Sequence, residues 1–283
     1  MNGVLLIDKK KGVTSRDVVR RVGQILGTKK VGHTGTLDPL ATGVLVLCVG
    51  QGLKLVELMM KHDKEYIATI QLGIETDTLD ITGNVLKREN PPQVSKQQIE
   101  EVLQGYVGKI KQEVPKYSAI KVNGKKLYEY ARKGIEVPLP VHDVEIYHLE
   151  LLGDIVDNCF QIKCSVSSGT YIRSLVRDIG ASLGTVAVML ELRRTRVGNF
   201  KIENTYREED VETGNYQLLN LTDVLNLPVL VVCDEIEKKV RNGCKMEKFF
   251  DEEMIILENS KKQILAIYMQ VGENKVKPYR MFV

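Results

Sequence analysis

Six consecutive apolar residues, Val44-Leu45-Val46-Leu47-Cys48-Val49, constrain this chain more than any other feature. An apolar run without alternation marks a strand covered on both faces, so other elements must pack above and below it. Immediately upstream, Gly32 to Gly43 is rich in Gly, Thr and Pro and has to turn sharply before that strand begins. Gly3 to Ile7 is a second short apolar run, ending at Asp8, after which Lys9-Lys10-Lys11-Gly12 turns the chain. Thr14-Ser15-Arg16-Asp17 has the spacing of a capping box. Val18, Val19, Val22, Ile25 and Leu26 then follow at helical spacing until Gly27 stops them.

Downstream, Leu53 to Met60 reads as a short helix and Tyr66 to Leu72 alternates as a strand. Ser95 to Leu103 has the cap and periodicity of a helix. Residues 115–140 are polar, basic and bounded by prolines, and read as an insertion rather than core. Strands are expected at Val144–Leu152, Phe160–Val166 and Arg196–Ile202, with a helix over Thr170–Leu183. Such irregular mixing predicts an α+β fold rather than regular βαβ winding. The tail has a strand at Val229–Cys233, a helix near Glu235–Asn242 and strands near Met254–Leu257 and Ile264–Met269. It is too small for a catalytic domain and suits a β-rich accessory module. The expected division is 1–225 and 226–283.

Composition narrows the function classes. With 283 residues, 43% hydrophobic and 27% charged, the chain has the makeup of a soluble protein of one or two domains. No apolar run approaches the roughly 18 residues needed to cross a bilayer, and the first residues do not form a signal peptide, so a cytoplasmic protein is expected. Five scattered cysteines and four histidines make no C-x-x-C pair or Cys/His cluster, which points to neither metal nor disulfide. Charge is segregated: residues 1–38 hold eight Lys/Arg against three Asp/Glu, residues 109–143 eight against four, and residues 201–260 seven against fourteen. Basic stretches of this kind are the footprint of a polyanion-binding face.

The segment Gly32-His33-Thr34-Gly35-Thr36-Leu37-Asp38-Pro39-Leu40-Ala41-Thr42-Gly43 is the most informative in the sequence, although an aspartate before proline in a loop is by itself most often a turn residue. Pro39 pushes Asp38 into an extended conformation, which helps fix its carboxylate. No G-K-[ST] follows, so this is not a phosphate-binding Walker loop. The segment closely resembles the catalytic motif of the TruB-type tRNA pseudouridine-55 synthases, G-H-T-G-x-L-D-P-x-A-T-G. Other blocks resemble that family in order: Lys64-Glu65-Tyr66, Thr76-Asp77-Thr78-Leu79-Asp80-Ile81-Thr82-Gly83, Tyr117-Ser118-Ala119 with Lys126 to Gly134, Ser168 to Leu175, and Leu192-Arg193-Arg194-Thr195. The similarity covers roughly residues 2–205, and the tail is more loosely similar to a short PUA RNA-binding module.

The resemblance implies a mixed, mostly antiparallel sheet with flanking helices and a central RNA cleft. It implies Asp38 as nucleophile, Tyr66 stacking on the target base, and Arg173 paired to the nucleophile. His33 would enter the RNA loop where the flipped base had been, Tyr171 and Leu192 would line the pocket, and residues 115–140 would grip RNA. The implied partner is the T-arm of tRNA, bound by a monomer without an obligate protein partner. A uridine inside folded RNA must be flipped out to expose its glycosidic bond, and a tyrosine offers a flat face to hold it. Asp38 would then add at C1′ of the ribose or C6 of the base, and the uracil would rejoin through C5. Since nothing is oxidised or hydrolysed, no cofactor is expected. The competing readings are a non-catalytic RNA-binding protein, a guide-RNA-dependent synthase, and a phosphate-binding small-molecule enzyme.

Overall fold

The computed structural model describes residues 1–283. β1 (Gly3–Lys9) leads into α1 (Ser15–Ile25), and β2 (Val31–His33) and β3 (Thr42–Val49) flank the glycine-rich segment. A 3-10 turn over Gly50–Leu55 and α2 (Val56–Met60) precede β4 (Lys64–Leu72). Next come a small hairpin, β5 (Ile74–Thr76) with β6 (Val85–Arg88), then α3 (Lys96–Gly105) and β7 (Gly108–Glu113). β8 (Lys121–Val122), β9 (Lys125–Lys126) and α4 (Leu127–Ala131) form an excursion before β10 (Val141–Val156) and β11 (Cys159–Val166). α5 (Ile172–Ser182), β12 (Ala187–Val197), β13 (Phe200–Lys201), α6 (Glu208–Glu212) and α7 (Leu221–Leu225) follow. The chain ends with β14 (Val229–Val231), α8 (Asp234–Arg241), β15 (Met246–Glu247), β16 (Met254–Glu258), β17 (Ile264–Val271) and β18 (Lys275–Met281).

Nine strands make one sheet in the order β1-β3-β12-β4-β11-β10-β7, with β2 and β13 attached to β3 and β12. Only β12 against β3 is parallel; the other pairings are antiparallel. This is the mixed, mostly antiparallel sheet of an α+β fold. A separate five-stranded sheet, β14-β16-β17-β18-β15, is built wholly from the tail. No helix is long and apolar enough to cross a membrane.

β3 is buried on both faces, as its unbroken apolar run requires. Leu45 and Leu47 pack with Val18 and Val22 of α1. Val44, Val46 and Cys48 pack on the other side with Ile256, Ile267 and Phe282 of the tail. β4 behaves differently: its residues alternate buried and half-buried, and Tyr66, Ala68, Ile70 and Leu72 enter a core shared with α3 and α5. The capping box at the start of α1 forms, with Thr14 accepting from the Asp17 amide.

Three sequence expectations are corrected. The strand placed at Arg196–Ile202 is instead the end of β12, because Gly198 (φ +53°) and Asn199 turn the chain between Val197 and its partner Phe200. β7 was not anticipated: Lys109 and Lys111 alternate with Ile110 and Gln112 on a sheet edge, which hides the apolar signal. β18 was missed for a similar reason, with Lys275 and Lys277 flanking buried Val276. The segment at 115–140 does stand outside the sheet, but it is ordered by local bonds. Leu127 N–H donates to Ile120 O, Tyr128 N–H to Ser118 O and the Tyr130 hydroxyl to Val122 O, and Leu127 is buried.

Gly43 is where the glycine-rich segment enters β3, at φ +102°, and a Cβ there would lie 2.2 Å from the Arg194 carbonyl oxygen. Gly43→Ala should therefore lower unfolding free energy by about 3 kcal/mol. Chemical denaturation checks this, and a loss under about 1 kcal/mol would mean β12 can move aside.

Candidate active site

The one parallel pairing of the nine-stranded sheet decides where the loop sits. Thr42 and Gly43 register with Arg193 and Arg194 on β12, and Arg194 in turn registers with Tyr66 on β4. Neighbouring strands lie about 4.8 Å apart, so the end of the loop stands roughly 10 Å from Tyr66, over the middle of the sheet.

Three fixtures pin the loop at alternate residues. Arg194, 2% exposed, donates from Nη2 to Gly35 O at 3.1 Å and from Nε to Val44 O at 2.7 Å. The Ser15 hydroxyl, at the start of α1, accepts from Leu37 N–H at 2.8 Å and donates to Leu37 O at 3.1 Å. Pro39 O accepts from Gly12 N–H at 2.8 Å and, at 3.4 Å, from the buried Lys9 ammonium. Lys9 also donates to Val13 O at 2.7 Å and Lys10 O at 2.9 Å. With the backbone held at 35, 37 and 39, the Asp38 carboxylate is left free, partly exposed, at the mouth of the site.

That carboxylate meets Arg173. The guanidinium is 5% exposed and its Nε lies 2.9 Å from Asp38 Oδ2, angled as an ion pair rather than a linear hydrogen bond. Its Nη1 donates to Thr78 O at 2.9 Å and its Nη2 to Tyr117 O at 3.0 Å. Arg173 stands in the first turn of α5, where the helix dipole disfavours a cation by about 0.3–1 kcal/mol; Asp38 and the two carbonyls offset this. The helix start itself is fixed by Gln112, whose Oε1 accepts from Tyr171 N–H at 2.7 Å.

The Thr78 carbonyl is delivered by a self-satisfied turn. Asp80 Oδ1 accepts from Thr78 Oγ1 and Thr82 N–H, both at 3.0 Å, and Asp77 accepts from Asn84. These aspartates are thus occupied in shaping the turn. A cleft of about 620 Å³ opens beside Tyr117, between the β5–β6 hairpin and the 115–140 segment. Glu75, Asp77, Glu113 and Glu136 line it against Lys116 and Arg177, and Arg177 is paired with Glu113.

Among the residues singled out in the sequence, Asp38 and Arg173 are in contact. Tyr66 and Leu192 are buried in one packed cluster with Leu37 and Leu40, which flank Asp38 and Pro39. Burial pushes the Tyr66 phenol above its usual range, and the Arg194 guanidinium opposes that rise. Burial also raises Tyr171, with the Ser118 hydroxyl and then Arg173 acting against it. His33 sits on β2 with a buried, unpartnered Nδ1; burial lowers its pKa, aided by Arg194 and Arg16. Cys164, beside Tyr66 on β11, is pushed up to about 12 by burial and is no thiolate nucleophile. Lys9, Ser15 and the fastening role of Arg194 were not foreseen. The one available signal was a lysine closing β1 just after Asp8, followed by a capped helix.

The comparisons with known proteins agree with one another. The description "TruB family pseudouridylate synthase (N terminal domain)" matches residues 23–172, and "tRNA pseudouridylate synthase B C-terminal domain" matches residues 173–226. The chain is 50% identical over 203 residues to tRNA pseudouridine synthase B of Fusobacterium nucleatum, covering 72% of this chain and 70% of the relative. It is 41% identical to the protein of that name from Oceanobacillus iheyensis, covering 100% of this chain and 98% of the relative. Among solved structures, a chain of a Cbf5-Nop10-Gar1 complex superposes with a TM-score of 0.74 at 25% identity, covering 99% of this chain and 85% of that one.

Burial lowers Lys9 to about 8, with Asp38 acting in the opposite sense. An unfolded lysine titrates near 10.4, so between roughly pH 8 and 10 the unfolded chain holds a proton that the folded chain has released. Stability therefore rises with pH across that window, and Lys64, also lowered to about 8 by burial, adds to the rise. Denaturation midpoints across this range should climb less steeply in Lys9→Met than in the wild type. An unchanged slope would show that the Lys9 ammonium is not the group titrating.

Proposed function

Because this chain belongs to the TruB family of pseudouridylate synthases, we propose that it converts the T-loop uridine of tRNA, position 55, to pseudouridine. The relatives of like length are each called tRNA pseudouridine synthase B, which supports tRNA as substrate. In this reading residues 1–225 are the catalytic domain and residues 226–283 a short PUA-like RNA-binding module, working as a monomer in the cytoplasm.

The observation that carries the mechanism is the Asp38–Arg173 pair at 2.9 Å, with Asp38 held partly exposed on a loop hydrogen-bonded at residues 35, 37 and 39. The target nucleotide leaves its stack and enters beside Tyr66, whose ring holds the base. His33 fills the vacated place in the RNA loop, and Tyr171 and Leu192 close the pocket. Asp38 adds covalently, at C1′ with N1 as leaving group or at C6 across the C5–C6 double bond; the N1–C1′ bond breaks, the uracil turns, and the C5–C1′ bond forms, with Asp38 released as carboxylate either from C1′ as C5 attacks or from C6 by elimination. The C5 proton then leaves and N1 regains one, so atoms balance without oxidation or hydrolysis. Arg173 sets a fixed positive charge against the carboxylate, because a guanidinium stays charged and the Thr78 and Tyr117 carbonyls hold it in place.

Unmodified tRNA transcript incubated with the protein should gain pseudouridine at the T-loop uridine, mapped at single-nucleotide resolution. Asp38→Asn should abolish that turnover while leaving tRNA affinity within a few-fold, since an amide is a poor nucleophile and affinity is spread over phosphate contacts. Modification elsewhere only, or an active Asp38→Asn variant, would overturn the reading.

A further inference from the structure

The root of the 115–140 segment is strapped to α5, the helix that carries Arg173. Gln112 Oε1 accepts from Tyr171 N–H at 2.7 Å, and Glu113 O from the Ser174 hydroxyl at 2.8 Å. Tyr117 O accepts from Arg173 Nη2 at 3.0 Å, and Arg177 Nη1 donates to Glu113 Oε1 at 3.0 Å. Beyond that root, Tyr128 N–H donates to Ser118 O at 3.2 Å and Leu127 N–H to Ile120 O at 2.8 Å, so α4 hangs directly from residues 118 and 120. Lys126 and Arg132 cap the two ends of α4 and lie 5.5 and 5.3 Å from the centre of the Tyr128 ring.

Ser118 stands at the junction. Its carbonyl anchors α4, its neighbour Tyr117 gives a carbonyl to Arg173, and its side chain bears on Tyr171. The residue is 5% exposed, and its Oγ is buried with no hydrogen-bond partner. A buried hydroxyl left unpaired is uncommon and unfavourable. Burial raises the pKa of the half-buried Tyr171 phenol, and the Ser118 hydroxyl opposes that rise, the sense expected when Ser118 donates and the phenol oxygen accepts. Arg173 and Asp38 act on the same phenol, so it stands in the pocket of the nucleophile. Donor and acceptor are thus side by side but out of alignment in the free protein. Hydrogen bonds of an active site are often misaligned without substrate and tighten once it is bound.

The arrangement contains the means of alignment. A phosphate drawn to Lys126 or Arg132 pulls on α4, and α4 is bonded to Ser118 through the Tyr128 amide. The main chain of Tyr171 does not follow, because its amide is fixed to Gln112 on β7. A small shift of residue 118 therefore changes the distance and angle between the two hydroxyls. We propose that Ser118 is a positioning residue for this reaction: once RNA seats the 115–140 segment, its hydroxyl donates to the Tyr171 oxygen and leaves the phenol's own proton pointing to the substrate. The proposal rests on the RNA-modifying reading above. A phenol that accepts from Ser118 has one donor direction left, so Tyr171 meets an acceptor oxygen of the flipped uridine in a single orientation. Ser118 touches no reacting atom and acts only through Tyr171.

The test uses the full-length protein and unmodified tRNA transcript. Ser118→Ala should lower the single-turnover rate at saturating enzyme about tenfold, with the tRNA dissociation constant within about threefold of wild type. In a Tyr171→Phe background the same substitution should cost less than about twofold, because the acceptor is already gone. In the free protein the denaturation midpoint of Ser118→Ala should match or exceed the wild-type value, since the hydroxyl removed has no partner there. A wild-type rate for Ser118→Ala, or equal losses with and without the Tyr171 hydroxyl, overturns the proposal. A lowered midpoint would show that Ser118 is already bonded in the free protein and would overturn it as well. If wild-type protein forms no pseudouridine, the proposed function falls instead, and amide exchange still reads the coupling. Adding tRNA should slow exchange at residues 115–119 in both proteins, but at residues 170–174 only in the wild type.

Discussion

Arg173 is a cation in the first turn of a helix, nearly without solvent, and its guanidinium joins three segments far apart in sequence. It pairs with Asp38 and takes the carbonyls of Thr78 and Tyr117. A buried guanidinium without such partners would cost several kcal/mol. The loop, the Thr78 turn and the head of the 115–140 segment are therefore interdependent: moving one strips a partner from Arg173. In the proposed reaction the same interdependence ties the RNA-gripping segment to the aim of the carboxylate, because Tyr117 lies at that segment's start.

The sheet supplies the rest of the alignment. β3 pairs with β1 along its length, while its other edge is divided between β12 at Thr42–Gly43 and β2 at Leu47–Val49. That division leaves room for the loop to rise between β2 and β3 and come down beside β12. Arg194 then fastens loop and strand together from beneath, and its register opposite Tyr66 sets loop and tyrosine on one line across the sheet. A side chain at Gly43 would collide with the Arg194 backbone, so the parallel contact depends on that glycine.

Periodicity exposed the elements with one clear apolar face or none polar: β1, α1, β3, β4, α3, β11 and α5. It failed where lysines alternate on edge strands, as in β7 and β18, and where a two-residue turn at Gly198 cut an apparent strand. The Asp38 loop was legible as a turn-rich segment, but its chemistry came from resemblance, since an aspartate before proline is equally at home in an ordinary turn. Lys9, Ser15 and Arg194 were illegible for a physical reason. Each acts through carbonyl groups contributed by residues distant in sequence, and carbonyls carry no sequence signal. The charge segregation misled in part, because α6 spends its carboxylates on Lys10 and Arg21.

The central claim is that the Thr78 and Tyr117 carbonyls hold Arg173 so that its charge occupies one fixed place against the Asp38 carboxylate, rather than merely lying somewhere near it. Arg173→Lys retains the charge but loses the planar fork and the donors to Thr78 and Tyr117. The decisive measurement is the single-turnover rate of uridine conversion in that variant at saturating enzyme, set beside its tRNA dissociation constant. The account predicts a rate lowered about tenfold or more, ~1.4 kcal/mol in the barrier, with the dissociation constant within about threefold of wild type. A wild-type rate, or a loss confined to the dissociation constant, would contradict it.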